Sequence, residues 1–122
     1  MPIGTRRSLE HLPQLFGWVC DEGGNRHEIL RGYMTASIRF WTWSAKPHLY
    51  LDCIYLQPET RRSGMERAMF GVLTEFARGK GCDEIQWRTL SSNEAGIAFY
   101  HSIGAVPVTD TIRWSEWSLS LG

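Results

Sequence analysis

Residues 48–79 read HLYLDCIYLQPETRRSGMERAMFGVLTEFARG, and this stretch decides the fold. From His48 to Leu56 both alternating faces are apolar except at Asp52, which is typical of a central strand in a sheet that is covered on both sides. From Met65 onward apolar residues recur at three- and four-residue steps, which predicts an amphipathic helix that ends at Gly79 and Gly81. A strand leading directly into a helix indicates an α/β domain.

The sequence around this unit predicts more strands and a second helix. The predicted strands are Leu15–Asp21, about His27–Trp43, His48–Leu56, about Glu84–Leu90 and Thr111–Leu119. The second helix opens at Asn93 and stops at Gly104, and a phase slip between Trp114 and Trp117 predicts a bulge or bend in the last strand. The predicted order is β-β-β-α-β-α-β-β, an α/β sheet domain of mixed strand direction.

Composition limits the classes of function. The chain has 122 residues with 13 basic and 13 acidic ones, which predicts a single domain over residues 1–122 with a short N-terminal segment at 1–14. A balanced charge argues against nucleic acid or an anionic membrane surface as partner. No stretch approaches the roughly twenty apolar residues of a membrane helix. The three cysteines and four histidines lack metal-ligand spacing, so we expect no metal site, reduced thiols and a cytoplasmic location.

Asp52 is the first candidate for chemistry. A carboxylate inside an apolar strand loses hydration, which favours its neutral form and suits a general base. The alternative is an Asp at a frayed strand edge, or one that is hydrogen-bonded to backbone amides. Periodicity alone does not decide between the two.

The polar turn at residues 57–64 is the second candidate. Free amides at a helix N-terminus, together with the guanidinium groups of Arg61 and Arg62, can hold a phosphate or pyrophosphate. The same residues contain a possible capping box, in which Ser63 and Glu66 satisfy the helix end without a ligand. Both interpretations stay open on these residues alone.

The order of motifs between about Tyr33 and Ala105 resembles the GNAT superfamily of acyl-coenzyme A-dependent N-acetyltransferases, and within it the polyamine (spermidine/spermine-like) branch. The motifs that carry the resemblance are LYLDCIYL at 49–56, RRSGME at 61–66, IQW at 85–87, Asn93-Glu94, and AFYHSIGA at 98–105. The resemblance implies a mixed, mainly antiparallel sheet with helices packed on it, lacking the usual N-terminal strand and helices. It also implies acetyl transfer from acetyl-coenzyme A to a primary amine by direct attack in a ternary complex.

The resemblance also implies roles for individual residues. Asp52 would help to deprotonate the acceptor amine, and Tyr100 would protonate the leaving thiolate. Asn93 matches an asparagine that contacts the pantetheine arm. The residues implied to bind the coenzyme are Ile54, Tyr55, Leu56, Arg61, Arg62, Ser63, Gly64, Met65, Glu66, Asn93 and Tyr100.

Three departures from the family pattern keep an alternative open. Glu66 stands where the phosphate turn has a small residue, and Arg62 where glycine is usual. Only about fifteen residues precede the first predicted strand, so we expect an open acceptor cleft or a homodimer whose second subunit supplies the missing wall. Trp41, Trp43 and Trp117 are candidates for such an interface. The alternative function is a non-catalytic binding or assembly module with a decayed coenzyme site.

Overall fold

The computed structural model describes residues 3–7, 15–21, 30–40, 46–58 and 64–122. The elements are β1 (Ile3–Arg7), β2 (Leu15–Asp21), β3 (Leu30–Phe40), β4 (Pro47–Leu56), α1 (Met65–Gly79), β5 (Glu84–Leu90), α2 (Glu94–Ser102), β6 (Val106–Asp110) and β7 (Trp114–Ser120). The strands form one sheet in the order β1-β2-β3-β4-β5-β7-β6. Only β4 and β5 pair in parallel among these strands. The predicted mixed, mainly antiparallel α/β fold is confirmed.

Two details at the ends of the sheet differ from the sequence-based expectation. β1 precedes the strand at Leu15 that was expected to be the first, and it pairs antiparallel with β2. The bulge or bend predicted between Trp114 and Trp117 does not lie in β7, which pairs with β5 without a register shift; the irregularity at this level is on β6, where Pro107 pairs with Trp117 and Thr109 with Glu116. The apolar phase slips there because Trp117 faces the core while Trp114 lies on the opposite face and is 37% exposed.

β4 carries a bulge at Asp52. On β3, Thr35 pairs with Cys53 and Ala36 pairs with Leu51, so Asp52 is an extra residue in the ladder. A bulge shifts the alternation by one residue, which is why Leu51 and Leu56 can both be buried although five positions separate them.

The ladder between β4 and β5 is short. Its register contains two pairs, Leu49 with Ile85 and Tyr50 with Gln86. Beyond Tyr50 the residues of β4 have no pairing partner on β5, so the two strands diverge. A cleft therefore opens at the middle of the sheet, on the side where β4 leads into α1.

The core lies between the sheet and the two helices, which share one face. Met69, Leu73 and Ala77 of α1 are fully buried against the strands. The ring of Phe70 on α1 packs 5.0 Å from Trp87 of β5 and 6.2 Å from Tyr100 of α2. Trp117, expected as an exposed interface residue, is only 2% exposed and belongs to this core. Trp41 and Trp43 lie outside the described residues.

The opposite face of the sheet is open over the second half of β4. Val19, Tyr33 and Tyr55 form one cross-strand row, and each is at least 40% exposed. The Tyr33 and Tyr55 rings lie 5.6 Å apart. The prediction that both faces of β4 are covered is therefore wrong for this half, although His48 at the start of the strand is buried.

Candidate active site

The cleft between the diverging strands is a cavity of about 460 Å³ lined by β4, α1, β5 and α2. It brings together most of the described residues that were singled out from the sequence. These are Asp52, Ile54, Tyr55, Leu56, Glu66, Asn93 and Tyr100. Residues that are up to 48 positions apart in the chain thus meet at one site because β5 leaves β4 after Tyr50.

The predicted phosphate turn is described only from Gly64 onward, and Arg61, Arg62 and Ser63 lie outside the described residues. Gly64 is the N-cap of α1, with a φ of 87°, and no side chain hydrogen-bonds to cap the helix there. The capping-box interpretation, which needs Ser63 at the N-cap, is therefore wrong. Met65 is buried in the core, so only its backbone is available to a ligand. No side chain of the described residues caps the first-turn N–H groups of α1, and such groups favour an anion.

Asp52 is not buried. Its side chain is 31% exposed and lies 3.3 Å from Nη2 of Arg39, whose guanidinium stacks on the ring of Tyr50. Of the two interpretations that the sequence left open, burial is wrong, because the bulge turns this residue out of the regular ladder and no described helix covers that face of β4. Asp52 is a hydrated carboxylate held by a cation at the mouth of the cleft.

A second cavity, of about 910 Å³, lies on the open face of the sheet. Arg39, Asp52, Arg88 and Glu116 give it charges of both signs. Asp52 and Arg88 line both cavities, so the two spaces meet at these residues. A molecule bound in the larger cavity can therefore contact a chemical group of a second molecule bound in the cleft.

Tyr100 belongs both to the aromatic core and to the cleft. It is 6% exposed, with its ring 5.1 Å from Trp87 and 5.5 Å from Trp117, and it also lines the cleft. Burial raises the pKa of the Tyr100 phenol, the Thr89 hydroxyl acts in the opposite direction, and the negative charge of Glu66 raises the pKa, with a net upward shift. The phenol is therefore protonated at neutral pH and can donate a proton.

Asn93 is the N-cap of α2. Its Oδ1 accepts a hydrogen bond from the Gly96 amide at 3.2 Å, and its Nδ2 donates to Oγ1 of Thr89 at 2.9 Å. A Cβ atom at position 96 would overlap the Asn93 amide, so a larger residue there would displace the Asn93 side chain. Contact between Asn93 and a pantetheine arm stays a prediction.

Sequence reasoning missed several residues of the cleft, above all Cys53, Arg88, Thr89 and Trp114. The Arg88 guanidinium lies 4.6 Å from the centre of the Trp114 ring. A signal existed for Thr89, which is the one hydroxyl in the core-facing series Ile85, Trp87, Thr89. Arg88 gave no signal, because charged residues on the outer face of a strand are common.

Neither described helix is long and apolar enough to cross a membrane. Within the described ranges, no three or more His, Cys, Asp or Glu side chains are grouped so that they could hold a metal ion.

Comparison with known proteins gives a family match and several relatives. The acetyltransferase (GNAT) family profile matches residues 2–105, which confirms the resemblance inferred from the motifs. A thialysine N-epsilon-acetyltransferase of Caenorhabditis elegans is 33% identical over 73 residues, 60% of this chain and 45% of that protein. The protein of the same name from Bos taurus is 29% identical over 83 residues, 68% of this chain and 48% of that protein. The chain spans about half the length of these curated relatives.

Solved structures agree on the fold. Arabidopsis thaliana NAA60 in complex with a bisubstrate analogue has a TM-score of 0.75 at 14% identity, covering 87% of this chain and 75% of that one. Nourseothricin acetyltransferase has a TM-score of 0.71 at 22% identity, covering 88% of this chain and 66% of that one.

Proposed function

We propose that this chain transfers an acetyl group from acetyl-coenzyme A to a primary amine of a small molecule, by direct attack in a ternary complex. The proposal starts from the fact that the chain belongs to the acetyltransferase (GNAT) family. The observation that carries the proposal is that Asp52 and Tyr100 line one cleft. A carboxylate and a protonated phenol supply the base and the acid that this reaction needs.

The cleft has groups that fit the coenzyme. Backbone N–H and C=O groups of β4 beyond Tyr50 have no partner on β5 and can pair with the amides of a pantetheine arm, as an added strand would. The start of α1, which no side chain of the described residues caps, suits the pyrophosphate, and Arg61 and Arg62 precede it in the chain. Glu66 lines the same cleft, and its negative charge opposes this binding.

In the proposed reaction the amine nitrogen attacks the thioester carbonyl carbon and the carbon–sulfur bond breaks. Asp52 takes the proton that the ammonium group must lose, directly or through water. Tyr100 gives its phenolic proton to the departing sulfur atom, and the second proton that the nitrogen loses as the amide forms returns to the phenolate directly or through water. Arg39 lies 3.3 Å from the Asp52 carboxylate and orients it at the junction of the two cavities.

The acceptor is proposed to enter through the larger, mixed-charge cavity. Asp52 and Glu116 can receive an ammonium group there, while Arg39 and Arg88 can receive a carboxylate. The curated relatives are named for thialysine, an amino acid with a distal amine. A lysine-like amino acid is therefore the first acceptor to test. We also propose that the chain forms a homodimer and is cytoplasmic, as expected from the sequence.

The direct test is thiol release from acetyl-coenzyme A in the presence of thialysine, lysine or spermidine. We expect thiol release that depends on the amine, and binding of acetyl-coenzyme A by calorimetry in the absence of the amine. Reactions without amine measure the background hydrolysis. Absence of binding at millimolar acetyl-coenzyme A would overturn the proposal.

The non-catalytic alternative predicts a different outcome of the same test. Because Glu66 lines the cleft, that alternative expects Glu66→Gly to gain coenzyme affinity while no amine in the panel causes thiol release. Amine-dependent turnover by the unaltered chain would exclude it.

Asp52→Asn tests the proposed base. The amide cannot take a proton from the ammonium group, so we expect kcat to fall by about 10²-fold at neutral pH. Asp83→Asn is the matched control, because Asp83 is also an exposed carboxylate in an ion pair, with Lys46 at 3.8 Å. The control should retain the rate of the unaltered chain, whereas equal losses in both variants would show that Asp52 acts only through surface charge.

A further inference from the structure

Two neighbouring residues of the sheet place charges of opposite sign next to each other in the larger cavity. Arg88 of β5 stands directly opposite Glu116 of β7 in the antiparallel register, and both side chains line the cavity. Side chains at directly opposed positions lie on the same face of a sheet. The open face therefore presents a cation and an anion side by side.

Neither of these two charges is balanced by a described side chain. Within the described ranges, Arg88 and Glu116 take part in no ion pair, not even with each other. Arg39, the other cation of the cavity, lies 3.3 Å from Asp52 and its guanidinium stacks on the ring of Tyr50. The charge of Arg39 is thus already balanced by Asp52, and Arg88 is left as the guanidinium that can take a carboxylate.

Trp114 holds the Arg88 side chain in place. The guanidinium carbon of Arg88 lies 4.6 Å from the centre of the Trp114 ring, a cation–π contact. Such a contact does not use the N–H groups of the guanidinium, which stay available for hydrogen bonds. An arginine that is already held in one position loses less conformational entropy when it binds a carboxylate through two N–H groups.

Arg88 stands across the opening of the cleft from Asp52. The last register pair between β4 and β5 is Tyr50 with Gln86. Asp52 and Arg88 each follow two residues later on their own strand, where the strands diverge, and both line the cleft as well as the larger cavity. A molecule whose carboxylate binds Arg88 can therefore extend a distal amine toward Asp52.

We propose that Arg88 is a specificity-determining residue: it binds the α-carboxylate of the acceptor and thereby selects an amino acid with a distal amine. Glu116 takes the α-ammonium group, so that the two residues together hold the zwitterionic end of the amino acid. The inference rests on the proposed function, because it assigns these residues the non-reacting end of the same acceptor. The reacting amine is left to Asp52.

The charge of Arg88 also disfavours a polyamine. A diamine or spermidine has a second cation, or no charge at all, where the amino acid has its carboxylate, and Arg88 repels a cation there. Glu116 attracts such a cation, but the neighbouring guanidinium opposes that attraction. Specificity thus has an attractive and a repulsive part, and both are lost when the charge of Arg88 is removed.

Lysine and cadaverine, which is lysine without its carboxylate, form a matched pair of acceptors for the test. We expect the unaltered chain to use lysine with the higher kcat/KM. Arg88→Met keeps an unbranched apolar side chain and removes the charge. It should lower the ratio of kcat/KM for lysine to kcat/KM for cadaverine about tenfold, as the loss of a hydrogen bond between charged groups predicts. Most of the change for lysine should appear in KM.

Arg78→Met is the matched control, because it removes an exposed guanidinium from the last turn of α1, where Arg78 lies 3.9 Å from Glu75. It should leave the lysine-to-cadaverine ratio unchanged. Arg88→Lys keeps the positive charge without the two-pronged geometry and should restore part of the preference. An unchanged ratio in Arg88→Met, or an unaltered chain that prefers cadaverine, would overturn the inference.

A second measurement needs no coenzyme. The chain has 6 tryptophans, so their indole N–H groups give a small set of ¹⁵N NMR signals, and Trp114→Phe identifies the one that belongs to Trp114. Because the Arg88 guanidinium lies over this ring, we expect millimolar lysine to shift the Trp114 signal and cadaverine to shift it less. The shift with lysine should disappear in Arg88→Met.

The two proposals fail in different ways. If the unaltered chain transfers no acetyl group to either amine, the proposed function fails, and the Trp114 signal decides whether Arg88 binds the carboxylate. No shift with lysine, or a shift that persists in Arg88→Met, would then overturn the inference. If the unaltered chain is active and its lysine-to-cadaverine ratio does not depend on Arg88, only the inference about Arg88 fails.

Discussion

Tyr100→Phe is expected to lower kcat by about 10²-fold or more, the range in which a general acid contributes. The phenylalanine ring keeps the packing of Tyr100 against Phe70, Trp87 and Trp117, at centroid distances of 6.2, 5.1 and 5.5 Å. Only the hydroxyl that protonates the departing sulfur is removed. The affinity for acetyl-coenzyme A should therefore change little, and steady-state kinetics combined with calorimetry separate the two effects.

Tyr33→Phe is the matched control for this prediction, because it removes a phenolic hydroxyl from the open face of the sheet. We expect it to keep the activity of the unaltered chain. A Tyr100→Phe variant with undiminished thiol release would show that Tyr100 is a core residue and not the acid.

Trp87→Ala should cause the largest loss of stability, about 3–5 kcal/mol in the free energy of unfolding. Trp87 is 2% exposed, and its ring contacts Phe70 of α1 and Tyr100 of α2 at 5.0 and 5.1 Å. Its removal leaves a cavity where both helices meet the sheet. Denaturant unfolding measures the loss, and activity should fall as well, because Tyr100 loses one wall of its site.

Trp114→Ala provides the comparison. Trp114 lies on the other face of the sheet, is 37% exposed and makes a cation–π contact with Arg88. Losing that contact should cost no more than about 1 kcal/mol. Similar losses in the two variants would contradict the placement of Trp87 at the centre of the core.

Periodicity predicted α1, β4 and β5 because each has a regular apolar repeat that burial confirms on the helix-facing side. It failed on the other face of β4. Tyr33 and Tyr55 are apolar enough to look buried, but hydropathy cannot tell whether another element covers them. Asp52 was misjudged for a related reason, since a bulge that turns a residue outward depends on pairing with β3, which the local sequence does not encode.

The motifs located the cleft because they name residues at the ends of β4 and at the start of α2. The motifs could not identify Thr89 or Arg88 as residues of the cleft, because their positions depend on how β5 diverges from β4. Nor could they show that the Asn93 side chain is hydrogen-bonded to Gly96 and Thr89. Those contacts exist only once the strand and the helix are folded against each other.

The short ladder between β4 and β5 divides the sheet into two blocks. One block contains β1 to β4 and the other contains β5, β7 and β6, and they are joined by two register pairs and by the helices. The boundary between these blocks has fewer register pairs than any other pair of neighbouring strands in the described sheet, and it lies at the cleft. A ligand that hydrogen-bonds to the part of β4 that has no partner on β5 would connect the two blocks. A ligand of the native state stabilises it by RT ln(1 + [L]/Kd), so if acetyl-coenzyme A binds as proposed, the free energy of unfolding should rise with its concentration.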